Sequence, residues 1–228
     1  MNVLYEDNHI IIVNKAPGEI VQGDKTGDTP LSEQVKAYLK AKYAKPGNVF
    51  LGVAHRLDRP VSGVVVFAKT SKALSRLCEM FRTGKVQKTY HAILPTSEMK
   101  QPLSDAPLPL EHWLVRNESQ NKSYVRPPHT PGAKQALLDC RSLSVSDRYT
   151  LVEVHLHTGR HHQIRCQLSA ALAPIRGDLK YGARRSNPDG SICLHARSVA
   201  FEHPVSHETI HIEADYPEGV WQIFAKHS

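Results

Sequence analysis

The chain has 228 residues, with 29 Lys or Arg against 22 Asp or Glu, and carries a formal charge of +7 when its histidines are neutral. A chain of this length can bury enough apolar surface to fold without a metal or a disulfide, which excludes a miniature scaffold. Its longest apolar run, residues 64–68, is far too short to cross a membrane. Because no signal-like stretch opens the sequence and the four cysteines stand singly, we expect a cytoplasmic protein in a reducing compartment.

The first 45 residues predict a β-hairpin followed by a helix. Residues 3–5 and 10–13 are strand-like and are separated by a turn at Asp7. Thr29 is a suitable helix cap, and Pro30 suits the first helical position. The apolar residues that follow at every fourth position are Leu31, Val35, Leu39 and Tyr43. This spacing predicts one buried helical face.

The next segment predicts two buried strands around a polar stretch. Residues 49–53 and 64–68 are apolar, and residues 55–63 between them form the first candidate site. Ser71 is expected to cap a second helix that ends at Gly84. The inward-facing residues expected in that helix are Leu74, Leu77, Cys78 and Phe81.

Residues 95–131 contain seven of the fifteen prolines and only short strand-like pieces. We interpret this segment as a Pro-rich excursion from the sheet within a single domain, residues 1–228. Alternating apolar and polar residues at 135–145 and 149–157 predict antiparallel strands after it. Thr158 is expected to open a third helix.

The positive charge is concentrated in two segments. Residues 56–88 carry a net charge of +6, and residues 159–185 carry +5. If the fold brings the two segments together, they form one surface that binds a polyanion such as RNA. A solvated basic helix face accounts for the same counts, so charge alone leaves both interpretations open.

The start of the predicted third helix contains an unusual amount of positive charge. Helix N-termini favour acids, yet residues 158–165 hold two arginines and two histidines. An internal carboxylate or a bound phosphate beside these side chains would make their positive charge stabilising instead of destabilising. The alternative is that the arginines simply point into solvent.

Asp58 is the second anomaly, because it is the only acid between Gln34 and Glu79 and lies between Arg56 and Arg59. If Arg165 lies against it, the carboxylate is held ionised as a preset nucleophile on a basic surface. The alternative is an Asp that caps a turn or pairs locally with Arg59.

Four neighbouring histidines raise the question of a zinc site: His155, His157, His161 and His162. The first two alternate along a strand, no Cys or H-E-x-x-H partner accompanies them, and nearby arginines would repel the ion. We therefore expect no metal.

Residues 55–63 (H-R-L-D-R-P-V-S-G), followed by Ala68 and Lys69, resemble the signature of the RluA family of pseudouridine synthases. The remaining similarity falls in the expected order along nearly the whole chain. It covers residues 3–18, 88–92, 158–165, 177–182 and 194–204.

This resemblance implies an isomerase that detaches a uracil from its ribose, turns it and reattaches it through carbon 5, without cofactor or metal. It implies an α+β fold with a large central, mainly antiparallel sheet and flanking helices. Asp58 is then the catalytic carboxylate and Arg165 its partner. Tyr90 stacks on the target base and helps to remove the carbon-5 proton, and Ile164 packs beneath the site.

We expect the partner to be ribosomal RNA, transfer RNA or both, bound by a monomer that lacks the S4 domain many relatives carry. The residues assigned to substrate binding are His55, Arg56, Arg59, Arg160, His162, Gln163 and Ile164. The alternative function is an RNA-binding or chaperone protein that has the same fold and no catalysis.

Overall fold

The computed structural model describes residues 1–24 and 26–224. This part of the chain forms eleven β-strands and three α-helices, grouped in two compact units that we describe separately. The first unit consists of Met1–Lys88 and Ala196–Pro217, and the second of Thr89–His195 and the segment that starts at Glu218. The single domain expected over residues 1–228 stays a prediction.

The first unit is built on antiparallel strands. Its elements are β1 (Asn2–Glu6), β2 (Ile10–Lys15), α1 (Leu31–Lys42), β3 (Gly52–Val53), β4 (Ser62–Ala68), α2 (Ser71–Arg82), most of β10 (Leu194–Glu202) and β11 (Thr209–Glu213). The strand order is β1-β2-β4-β10-β11, and β3 also pairs with β4. The hairpin expected at the start of the chain is confirmed by the antiparallel pairing of β1 with β2.

The second unit has five antiparallel strands and one helix. Its elements are β5 (Gln87–Pro95), β6 (Leu108–Asn117), β7 (Lys122–Arg126), β8 (Lys134–Val145), β9 (Tyr149–Leu156) and α3 (Gln163–Ala171). The strand order is β5-β9-β8-β6-β7. The predicted fold class, α+β with a large, mainly antiparallel sheet and flanking helices, is confirmed. Within the described residues, no helix is long and apolar enough to cross a membrane.

The core of the first unit lies between its sheet and α2. Ile10 and Ile12 on β2 and Val66 on β4 face Ala73 and Leu77 of the helix, and all five side chains are buried. Alternate strand positions therefore meet one helical stripe, as amphipathic patterning requires.

Helix α1 begins one residue later than expected, with Pro30 rather than Thr29 at the cap. The backbone N–H groups of Leu31 and Ser32 donate to the carbonyl oxygens of Ile20 and Val21, at 2.7 and 3.2 Å. Backbone carbonyls from the preceding segment thus accept from the first N–H groups of the helix, which a capping side chain usually satisfies.

Helix α2 is capped by Thr70, whose Oγ1 accepts from the Ala73 N–H at 3.2 Å, so the expectation that Ser71 caps it is wrong. The expectation that Cys78 faces inward is also wrong, because this thiol is exposed. Leu77 occupies the buried face, and Cys78 is turned away from it by about 100° of helical rotation.

Much of the segment 95–131 belongs to the sheet, which corrects its interpretation as an excursion. Strand β6 pairs with β8 from Leu108 opposite Cys140 to Leu114 opposite Lys134, and β7 continues the sheet beyond β6. Most of the prolines lie outside the strands, in residues 96–107 and 127–133.

Helix α3 begins at Gln163, five residues after Thr158. His162, at the cap, has a left-handed backbone with φ +52°, which breaks the helix before Gln163. The Gln163 side chain accepts from the Thr158 hydroxyl at 2.8 Å and from the Arg160 N–H at 2.9 Å, and donates to the Leu137 carbonyl at 3.0 Å. These bonds give residues 158–162 a fixed non-helical path.

Candidate active site

Asp58 lies half-buried in the segment between β3 and β4. The Val61 N–H donates to the Asp58 carbonyl at 3.0 Å and closes a tight turn. The Gly18 N–H donates to the Arg59 carbonyl at 2.8 Å, which ties this turn to the one that follows β2. The backbone around the carboxylate is therefore held from two sides.

Lys15, the last residue of β2, is completely buried beneath this turn. Its Nζ donates to the carbonyl oxygens of Ala16 at 3.0 Å, Arg59 at 3.1 Å and Val61 at 2.6 Å. An ammonium group has three N–H donors, and each has an acceptor here. Burial lowers the pKa of Lys15 to about 8. The sequence alone did not single out this residue, although a Lys two positions after an apolar run was a usable signal.

His55 anchors the start of the same segment. Its Nε2 accepts from the Val66 N–H at 2.9 Å, and its ring stacks on Phe81 with the centroids 4.4 Å apart. Burial lowers the pKa of His55 to about 3, and the nearby Lys88 acts in the same direction, so the ring is neutral. These contacts give His55 a structural role, and its predicted contact with substrate stays a prediction.

Arg59 is held by an acidic loop rather than by Asp58. Its guanidinium donates to Asp28 at 2.6 Å and to the Thr26 hydroxyl at 2.8 Å, and lies 3.5 Å from Asp24. The alternative in which Asp58 pairs locally with Arg59 is therefore wrong. The neighbouring Arg56 is exposed, as a phosphate-binding side chain should be.

Gly63 closes the segment in a conformation that only glycine adopts readily, with φ +115°. A Cβ at this position would lie 2.3 Å from the carbonyl oxygen of Ala196 on β10. The start of β4 thus packs directly against the backbone of β10, and no side chain fits between them.

In the second unit, Arg165 lies buried in the first turn of α3. Its Nε and Nη2 donate to the two carboxylate oxygens of Asp178, at 2.7 and 2.8 Å. Its Nη1 donates to His162 Nε2 at 3.1 Å, and the guanidinium lies 5.1 Å from the centroid of the Tyr181 ring.

This arrangement explains the positive charge near the start of α3. Of the four basic side chains, only Arg165 lies within the helix, and an internal carboxylate neutralises it. The alternative in which this arginine points into solvent is wrong. Asp178 was missed as a site residue, although it is the only acid in residues 159–185.

The other site residues predicted in the second unit differ in their exposure to solvent. Tyr90 lies on β5 opposite Val154, with 9% of its surface exposed, and Ile164 is buried in α3. Gln163 is 3% exposed and satisfied by the three internal bonds given above, so it acts inside the loop rather than on its surface. Arg160 is exposed, and its Nε donates to the Gln135 carbonyl at 2.8 Å.

Each unit thus gathers one part of the predicted site. The first holds Asp58 with His55 and the arginines beside it, and the second holds Tyr90 and residues 160–165. The pairing of Asp58 with Arg165 would involve one residue from each unit and stays a prediction, as does the single polyanion-binding surface.

Acids from outside the basic segments neutralise part of their positive charge. Lys69 is almost buried and lies 3.0 Å from Glu6, and Arg59 pairs with Asp28 at 2.6 Å. The basic segments therefore present less net positive charge to RNA than their sequence counts suggest.

The four histidines that raised the question of zinc make separate contacts. His155 lies 3.0 Å from Glu153, His157 lies 2.6 Å from Asp139, and His161 stacks on His162 with 3.8 Å between ring centroids. Among the described residues, no group of three or more His, Cys, Asp or Glu side chains could hold a metal ion.

Comparison with known proteins places this arrangement in a family. The RNA pseudouridylate synthase family profile matches residues 9–170. The chain is 30% identical to tRNA pseudouridine synthase C of Vibrio cholerae over 234 residues, covering 97% of this chain and 93% of that protein. It is 29% identical to ribosomal large subunit pseudouridine synthase D of Xanthomonas campestris pv. campestris over 238 residues, covering 99% of this chain and 69% of that protein.

Solved structures agree on the fold. The human RNA Pseudouridylate Synthase Domain Containing 4 superposes with a TM-score of 0.76 at 23% identity, covering 99% of this chain and 92% of that one. Family profile, relatives and fold lead to one conclusion: the chain belongs to the RNA pseudouridylate synthase family, in its RluA branch, and is an isomerase that converts uridine in RNA to pseudouridine.

Proposed function

We propose that Asp58 is the catalytic carboxylate of this isomerase, that Arg165 pairs with it, and that Tyr90 stacks on the target uracil. We propose further that the substrate uridines lie in ribosomal or transfer RNA. The names of the relatives, a large-subunit synthase and a tRNA synthase, support this substrate class.

The observation that carries the role of Asp58 is the construction of its turn. A completely buried ammonium binds the carbonyl oxygens of Arg59 and Val61, which follow Asp58 directly in the chain. Burying a charge in this way is costly unless every donor is satisfied. A carboxylate held this firmly, with an exposed arginine two residues before it, has the preorganisation of a catalytic group.

The reaction breaks the bond between N1 of the uracil and C1′ of the ribose and forms a bond between C5 and C1′. The C5 proton is lost and N1 gains one, so no atom is gained or lost overall. Asp58 acts as an anion, because only the ionised carboxylate can attack the nucleoside or assist departure of the base. A guanidinium beside it favours that ionised form.

The uracil must leave its stack to reach a half-buried carboxylate, at a cost of a few kcal/mol. Stacking on an aromatic ring such as Tyr90 and contacts from the backbone phosphates to exposed arginines offset this cost. Arg56 and Arg160 are exposed. In the sequence Arg56 lies close to Asp58 and Arg160 lies close to Arg165, which supports their assignment to phosphate binding.

The test is to map pseudouridines in total ribosomal and transfer RNA from cells with this protein, without it, and with its Asp58→Asn variant. We expect specific positions to lose pseudouridine both in the deletion and in the variant. RNA binding without any change in the modification map would instead support the non-catalytic, chaperone-like function.

We also expect the enzyme to act as a monomer in the cytoplasm. Within the described residues all four cysteines are free thiols, which suits a reducing compartment. Light scattering at working concentration measures the mass, and a dimer would contradict the monomer.

A further inference from the structure

The guanidinium of Arg165 is fixed by a set of side chains that all belong to the second unit. Asp178 accepts from Nε at 2.7 Å and from Nη2 at 2.8 Å, in the bidentate geometry that fixes both the position and the plane of a guanidinium. Arg165 and Asp178 have side-chain exposures of 6% and 1%. Water therefore competes little with this pair.

The third bond fixes the proton of the neighbouring histidine. Arginine only donates, so His162 Nε2 accepts from Nη1 and the ring proton is on Nδ1. That N–H then donates to the Tyr181 hydroxyl oxygen at 3.0 Å, which also accepts from the Ser123 N–H at 2.8 Å. Burial raises the pKa of Tyr181 above its usual range, so the hydroxyl stays neutral.

Asp178 itself sits on a rigid support. Gly177 before it has φ +88°, and a Cβ there would lie 2.6 Å from the Ser191 carbonyl. Tyr181 and Ala183 donate their N–H groups to the Asp178 carbonyl, at 3.0 Å each. The carboxylate and the tyrosine ring thus come from one short turn and reach the same guanidinium.

The bonds to Asp178 and His162 together involve all three guanidinium nitrogens of Arg165. They fix both the plane of the guanidinium and its rotation within that plane, and so determine the direction in which the group faces any further partner.

We infer that Asp178 is a positioning residue for the isomerisation: it sets the position and plane of the Arg165 guanidinium, and His162 and Tyr181 support the same group from their own side chains. This inference rests on the proposed role of Arg165. Misplacing a catalytic group by about 1 Å can cost roughly 100-fold in rate, so the effect falls mainly on kcat.

The experiment is a double-mutant cycle with four enzymes: the wild type, Asp178→Asn, Arg165→Met and the double variant. Single-turnover pseudouridine formation gives kcat, and its dependence on RNA concentration gives KM. The Asn amide turns one acceptor into a donor that faces the guanidinium, while the volume is unchanged. Asp147→Asn, which removes an exposed carboxylate from the same unit, is the matched control.

We expect Asp178→Asn to lower kcat by about 100-fold with KM within about threefold of the wild type. In the Arg165→Met background the same substitution should lower kcat no further, because the residue acts through Arg165. An equal loss in both backgrounds, or wild-type kcat in Asp178→Asn, overturns the inference.

The cycle also separates this inference from the proposed function. Full activity of Arg165→Met refutes the role of Arg165 itself, whereas an inactive Arg165→Met beside a fully active Asp178→Asn refutes the positioning role alone. If Asp178→Asn does not fold, Tyr181→Phe takes its place, since it keeps the ring and removes only the hydroxyl that bonds His162. A fall in kcat at constant KM then supports the inference that these side chains position Arg165, and an unchanged kcat in the folded variant overturns it.

Discussion

The ammonium group of Lys15 lies 2.6 Å from the carbonyl oxygen of Val61, in a pocket of main-chain oxygens under the Asp58 turn. Lys15 ends a strand whose side chains are otherwise mostly apolar and buried, and Val61 comes directly before β4. One buried cation thus links the end of one strand to the loop that enters its neighbour, and this link holds the turn that carries Asp58.

Lys15→Met tests the hydrogen bonds of this buried ammonium, because the methionine keeps most of the aliphatic stem and removes the three donors. The carbonyl oxygens of Ala16, Arg59 and Val61 lose a charged partner, and we expect the free energy of unfolding to fall by about 2–4 kcal/mol. We expect kcat to fall as well, since the turn that holds Asp58 loosens. Urea denaturation and single-turnover kinetics measure the two effects.

The control for that substitution is Lys36→Met, which removes a half-buried surface lysine paired with Glu33 at 2.8 Å. Its cost should stay below about 1 kcal/mol. Equal stability of the Lys15 and Lys36 variants would show that the buried ammonium is dispensable.

His55 predicts a loss of stability in mild acid. Burial lowers the pKa of His55 to about 3 in the folded protein, whereas the unfolded chain has a pKa near 6.5, so between these values only the unfolded state takes up the proton. Stability is then fully present above pH 6.5 and declines as the pH falls towards 3. The histidine alone should remove about 2 kcal/mol between pH 7 and pH 5.

His55→Gln is the matched variant, because its amide oxygen can accept from the Val66 N–H and does not titrate. Unfolding at pH 7 and pH 5 is measured for both proteins. The wild type should lose more stability than the variant between these values, and parallel pH profiles would contradict the prediction.

Sequence patterns predicted which elements are present better than they predicted the element boundaries. Alternation and helical spacing fixed the hairpin, α1 and α2, because those patterns report which face is buried. The predicted start of α3 was too early, because hydrogen bonds from the Gln163 side chain and the left-handed backbone of His162 keep residues 158–162 out of the helix. No local sequence pattern indicates either feature. The cap of α1 was missed because its acceptors are backbone carbonyls ten or more residues earlier.

The partners of the site residues were hardest to predict. The acid that holds Arg165 lies thirteen residues further along the chain, and the one that holds Arg59 lies thirty-one residues earlier. Pairing at such distances depends on the tertiary path and not on local spacing. A lone acid within a basic segment is the sequence feature that singled out Asp58, and the same feature at Asp178 was overlooked.

Gly63→Ala tests the close packing of β4 against β10. The added Cβ meets the Ala196 carbonyl at 2.3 Å in a backbone with φ +115°, so strain and overpacking should together cost about 3–5 kcal/mol. Gly84→Ala has a positive φ of +73° and no atom within 4 Å of its Cβ, and it should cost only about 1 kcal/mol. Thermal unfolding compares the two variants, and similar costs would show that the packing contact is unimportant.

The acidic loop around Arg59 predicts a gain in RNA affinity when its charge is removed. Asp24 and Asp28 neutralise Arg59 and repel phosphate, so the double variant Asp24→Asn, Asp28→Asn should bind RNA more tightly, by a few-fold at low salt and less at high salt. Filter binding at two salt concentrations measures the change. An unchanged or weaker affinity would show that Arg59 does not contact RNA.

The most direct test of the whole account is the release of tritium from RNA labelled at uridine carbon 5, measured in a single turnover with wild type, Asp58→Asn and Asp215→Asn. Asp215 is an exposed carboxylate in the same unit and serves as the matched control. We predict that Asp58→Asn releases no tritium while its melting temperature and RNA affinity stay near those of the wild type, and that Asp215→Asn is fully active. Release by Asp58→Asn at the wild-type rate would contradict the role of Asp58 and, with it, the proposed mechanism.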